Sequence, residues 1–165
     1  MFEIRPDLDP LLMPIAWMIG RWEGTGKGQW PTEGEFEYGQ VVEFTDNGGG
    51  YLHYLSQTFI ADEEGQPVAP RSMETGFWRP QADGSVEVVM CHPEGYSEVW
   101  FGKVEGARIQ LATDAVARTV TAPGYTGGQR LYGQVEGDLL WTFDRATTEH
   151  ELQPYMWARL KRTAH

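Results

Sequence analysis

The side chains here that could hold a metal or move a proton are His53, His92, His150, His165, Cys91 and a surplus of carboxylates. Their spacing builds no metal centre, since Cys91 has no second thiol and no Cys/His cluster has zinc-site spacing. Glu23, Glu35, Glu37 and Glu43 could suggest an acid and base pair, but strand alternation turns them to an outer, wet face, and paired carboxylates need a shared cleft. No glycine-flanked serine forms a nucleophile elbow. Binding chemistry is better supported, by GRWEGTGKGQWPT at residues 20–32. Read as a strand, Gly20, Trp22, Gly24, Gly26, Gly28 and Trp30 share one face. A face stripped to glycine between two indoles marks close approach to the backbone. The pattern predicts a flat or elongated apolar guest over Gly20, Gly24 and Gly26, with Trp22 as the floor of its cavity.

The histidines read individually. His92, in Cys91-His92-Pro93-Glu94-Gly95, falls on a turn and reads as a surface residue; His165 is terminal. His53 shares parity with Leu55 and Phe59 and reads as a core or cavity histidine. His150, flanked by Glu149 and Glu151, is either a solvated loop residue or a donor reaching a ligand at the mouth.

These residues must be positioned by a single domain, residues 1–165, long enough to bury a core without staples. A formal charge of −11 argues against nucleic acid or an anionic membrane as partner, because both demand a basic face. One cysteine excludes an internal disulfide and makes the reducing cytoplasm the expected compartment. The opening stretch MFEIRPDLDPLLMPIAWMIG is interrupted by Pro14 and has neither a basic start nor a small-residue cleavage site. It reads as a helical turn over residues 10–18 plugging one end of the fold, not as a leader or a span.

Beyond it, alternating segments recur between Gly, Pro and Asp/Asn-Gly turns. They predict ten strands near 21–29, 36–46, 51–61, 70–79, 85–92, 95–104, 107–114, 128–135, 138–145 and 152–162. Ten consecutive antiparallel strands with one wet face must split into a sandwich or close, and closure removes exposed edges. An all-β, ten-stranded antiparallel up-and-down barrel is therefore expected, large enough to enclose a cavity.

GRWEGTGKGQWPT also resembles the G-x-W-x-G-x-G signature of the nitrobindin family, with the Trp-Pro-Thr loop that follows it. Further matches run in order: Phe36-Glu37-Tyr38, Met73-Glu74-Thr75-Gly76-Phe77-Trp78-Arg79, Pro93-Glu94-Gly95 before Glu98, and Arg130-Leu131-Tyr132. The resemblance spans nearly the whole chain. It implies a barrel like those of fatty-acid-binding proteins, holding ferric heme b through a histidine on the last strand, usually after Gln-Pro. It also implies chemistry on nitric oxide and peroxynitrite, and frequent pairing as homodimers.

Here that stretch reads Gln153-Pro154-Tyr155-Met156. A phenol stands where the family offers imidazole, and a phenol binds iron well only as phenolate. Heme is thereby placed in doubt and the cofactor left unassigned. Tyr155 can be a packed barrel tyrosine, an iron ligand assisted by Arg79, Arg130 or Arg159, or a contact to an apolar guest. His150 would be the substitute axial donor. Parity with Met156, Ala158 and Leu160 turns Tyr155 outward unless Pro154 or a bulge resets the alternation. The resemblance further places Thr32 beside the ligand opening, and Arg130 is either a rim group for a carboxylate or a surface charge. The first reading is therefore a binding protein with an apolar cavity, with enzymatic activity left open and leaned against. The alternatives are a heme protein acting like a peroxynitrite isomerase, and a fatty acid or lipid carrier.

Overall fold

Residues 2–163 are described by the structure, a computed structural model. A 3-10 turn, Pro10–Met18, precedes ten strands: β1 Gly20–Trp30, β2 Gly34–Thr45, β3 Leu52–Ala61, β4 Pro67–Pro80, β5 Ser85–His92, β6 Tyr96–Val104, β7 Arg108–Arg118, β8 Tyr125–Val135, β9 Asp138–Thr147 and β10 Gln153–Arg162. Each pairs antiparallel with its sequence neighbours, and β10 closes on β1 from Trp22 opposite Arg162 to Gly28 opposite Met156. The expected barrel is present, and among the described residues no sheet edge is left unpaired.

The N-terminal turn seals one end. Asp9 caps it by accepting from the Leu11 amide at 2.9 Å, Pro10 enters with its φ already set, and Leu12, Ile15, Ala16 and Met18 are buried in the barrel. Trp22 packs beneath it: its indole donates to the Met18 carbonyl at 2.8 Å, and the Arg162 guanidinium lies 4.2 Å over its ring. Arg162 also donates to the Trp17 and Ile19 carbonyls, tying the last strand to the plug. Its neighbour Arg159 points outward to Asp138 instead, at 2.6 Å.

The glycine face of β1 is not a ligand wall. Register sets Gly26 opposite Tyr38 and Gly28 opposite Phe36, and the two rings lie over the bare backbone. A Cβ at Gly26 would meet the Tyr38 ring and come within 2.7 Å of the Trp157 carbonyl, while one at Gly24 would meet Leu160. The glycines are there to seat large neighbours from adjacent strands. At Gly24 and Gly26 the place of the expected guest is taken by the protein's own atoms, and Gly20 lies at the plugged end, opposite Phe44.

β10 carries a bulge. The ladder to β9 pairs Pro154 with Asp144 and then Met156 with Phe143, leaving Tyr155 without a partner. The extra residue resets the pleat, so Tyr155 and Met156 both reach the barrel interior. β7 and β8 run further than the alternation predicts, to Arg118 and from Tyr125. Residues Asp114–Arg118 are exposed apart from the half-buried Val116, so they carry no run of inward apolar positions.

Candidate functional site

At the end opposite the plug, the turns β1–β2, β5–β6, β7–β8 and β9–β10 surround a cavity of about 540 Å³. Its inner wall is built from strand positions whose parity points inward. Arg130 on β8 and Glu74 on β4 meet there from non-adjacent strands in a two-pronged ion pair, Nη1 to Oε2 at 2.5 Å and Nη2 to Oε1 at 3.0 Å. Arg130 also donates to the Tyr132 hydroxyl at 3.1 Å, and the Tyr54 hydroxyl donates to Glu74 at 3.2 Å. Arg130 is 2% exposed. Burial by itself pushes the Glu74 carboxyl up, but the facing guanidinium and its hydrogen bonds outweigh that and hold it below the usual carboxylate range. The same pairing overrides burial at Arg130 and keeps its charge. Tyr54 and Tyr132 are pushed up, chiefly by burial, and stay neutral. Beside them the Trp141 indole donates to Gln40 at 2.8 Å, and Gln40 donates to Ser56 at 3.0 Å.

A second cluster occupies the flank. His92 Nε2 and Glu98 share a hydrogen bond at 2.6 Å, and the Tyr125 hydroxyl donates to the other Glu98 oxygen at 2.5 Å. The His92 ring stacks on Tyr96 with centroids 4.0 Å apart.

The mouth carries two further arginines. Arg71 lies 3.7 Å over the Phe36 ring and pairs with Glu33 at 2.8 Å. The Arg145 guanidinium sits 3.5 Å over Tyr155 and 4.1 Å over Trp30. Tyr155 is also met edge-on by Trp30, Phe36 and Phe143. Among the described residues no carboxylate pairs with Arg145, and its Nε–H is buried without an acceptor. The Nε of Arg130 is likewise buried and unanswered.

Of the residues singled out from the sequence, Tyr155, Thr32 and Arg130 line this cavity together. Thr32 stands exposed at its mouth. Arg130 is no rim group: it lies deep on the inner wall, and the carboxylate it holds is that of Glu74. Gly20, Trp22, Gly24 and Gly26 contribute nothing to its lining. His150 stays outside it, packed 5.5 Å from the Trp30 ring, with its amide on the Thr147 hydroxyl at 3.1 Å. His53 turns outward to the Thr75 hydroxyl at 2.8 Å instead of facing the core. His92, expected on the surface, is buried against Glu98 because the inward parity of Val86, Val88 and Met90 continues to it. His165 lies outside the described residues. The cation beside Tyr155 is Arg145, not Arg79, Arg130 or Arg159. The cavity is also more mixed than the apolar one expected, with Gln40, Ser56, Thr58 and Ser72 among its aromatic walls. Glu74, His92 and Arg145 were missed as site residues, although each continues the inward parity of its strand beyond a buried Trp, Met or Phe.

A heme iron held through imidazole does not fit these residues. His92 spends its Nε2 on Glu98, His150 lies behind Trp30, and the last strand offers a phenol. No N–H reaches the Tyr155 hydroxyl among the described residues, and Arg145 covers the ring face instead of the oxygen.

Comparison with known proteins gives a consistent set of relatives. Residues 11–162 match the model of the THAP4-like, heme-binding beta-barrel domain. A protein of Cutibacterium acnes named ferric nitrobindin-like protein is 64% identical over 98% of this chain and 99% of its own length. One from Nocardioides named peroxynitrite isomerase is 45% identical over 98% of both. The crystal structure of Rv2717c from M. tuberculosis superposes with a TM-score of 0.83 at 32% identity, covering 95% of this chain and 99% of that one.

Proposed function

The chain belongs to the THAP4-like heme-binding β-barrel family, and from that footing we propose that it is a ligand-binding barrel that takes a flat small molecule at the Tyr155 mouth without holding iron. One observation carries this reading: the last strand presents Tyr155, clamped by Arg145 and three aromatic edges, where an axial donor would have to approach. A cavity of about 540 Å³, aromatic with a few convergent polar groups, has the size and character of a small-molecule site. Its polar inner wall disfavours a long fatty acyl chain, whose methylenes would strip water from Glu74 and Arg130 without replacing its hydrogen bonds. The compartment proposed is the reducing cytoplasm, consistent with the exposed, unpaired Cys91. A second copy, if the barrel pairs, would cover the exposed outer side chains Phe77, Val89 and Phe101.

Hemin titration tests this. The expected result is no saturable Soret change at micromolar hemin. A saturable Soret band lost in Tyr155→Phe would overturn the reading and assign the iron to a tyrosinate, reopening activity of the kind named for the Nocardioides relative.

A further inference from the structure

Every cation lining the cavity has a carboxylate except one. Arg71 is paired with Glu33 and Arg130 with Glu74. Among the described residues the Arg145 side chain finds no ion pair and no hydrogen-bond partner, and its Nε–H is buried. The guanidinium carbon lies over both Tyr155 and Trp30, whose planes stand 72° apart, so at most one ring is met face to face, and among the described residues no oxygen accepts from its N–H groups. A buried donor without an acceptor is destabilising, and the deficit is relieved when an oxygen arrives.

Resting on the ligand-binding reading above, we infer that the cavity recognises a flat organic anion, whose carboxylate or equivalent oxyanion takes the Arg145 fork while its aromatic body lies along Phe143, Tyr155 and Trp30. The wall is continuous. The Arg130 guanidinium lies 4.2 Å over Phe143, Phe143 meets Tyr155 at 5.7 Å, and Tyr155 carries Arg145 at 3.5 Å. A guest along this strip has a cationic fork at its outer end and, at the inner end, a guanidinium whose charge Glu74 already cancels, which suits a neutral group there. The charge of the chain as a whole, −11, repels anions, so selection is local to Arg145. Salt that screens the long-range field leaves a desolvated fork bond less affected.

The test compares 2-naphthoate with its uncharged isostere 2-naphthamide by calorimetry and by quenching of the cavity tryptophans Trp30 and Trp141. Naphthoate should bind roughly tenfold or more tightly, the scale of a hydrogen bond to a charged group. Arg145→Gln should abolish the preference for naphthoate over naphthamide, and Arg145→Lys should restore part of it. Thermal melts of both variants establish that they are folded. Equal binding of the two probes to the wild-type protein, or a preference that survives Arg145→Gln, overturns the inference alone. Binding of neither probe overturns it together with the ligand-binding reading beneath it.

Discussion

Replacing Glu74 by Gln strips a buried guanidinium of its counter-ion while keeping the side chain's shape. Arg130 is 2% exposed, and both its Nη groups lean on the carboxylate. Breaking a buried pair from one side costs about 3–5 kcal/mol, mostly the penalty of the charge left behind. The Glu74 side chain is 17% exposed, so water can reach the vacated side of the pair, which argues for the lower figure, about 3 kcal/mol. For a domain of this size that corresponds to a melting temperature lower by about 6–12 °C. The double variant Glu74→Gln/Arg130→Met removes the stranded charge and should recover most of the loss. The folded-state carboxyl is held below its ordinary value, so the stability it contributes is fully present above the usual carboxylate range and disappears as pH falls through the folded value. The gap between wild type and Glu74→Gln in urea unfolding should therefore be constant near neutrality and close under acid. A Glu74→Gln protein within about 1 kcal/mol of wild type at pH 7, or a double variant weaker than the single, would refute the reasoning.

The other expectations follow from the same packing. Gly26→Ala forces a methyl against the Tyr38 ring, which cannot swing away while its hydroxyl donates to the Trp157 carbonyl at 3.0 Å, so a loss of about 2–3 kcal/mol is expected in denaturant melts. An unchanged melt would mean that the glycine face is open. Burial pushes Tyr38, Tyr54, Tyr96, Tyr125 and Tyr132 up. Stability should fall as pH rises above the unfolded value near 10, where only the unfolded chain gives up those protons. Phenolate absorbance near 295 nm from these five should then appear in one cooperative step with alkaline unfolding; smooth titration of all seven tyrosines in the native state would contradict that burial.

The strands were legible because each carries one wet face and ends on a turn residue, as with Leu139, Trp141 and Phe143 set against Thr142 and Asp144. The plug was legible in Pro10 and Pro14. What misled was the bare face of β1. Alternation shows that a strand lacks side chains but not what its neighbour places there, and only the register sets Tyr38 against Gly26. Tyr155 is a similar case, since its inward placement depends on a bulge that strict parity denies. The buried charges were hidden by a habit of assigning Glu and Arg to solvent. Arg145 continues the parity of Trp141 and Phe143, and Glu74 that of Trp78, which was the readable signal that the cavity is polar.

Where a guest sits can be mapped directly by amide chemical-shift changes in the ¹⁵N-labelled protein on adding 2-naphthoate. The account predicts shifts clustered at Thr32, Phe143, Arg145 and Tyr155, with Gly20, Trp22 and Gly24 at the plugged end unmoved. Shifts centred on those β1 residues instead, with the Arg145 mouth silent, would contradict it.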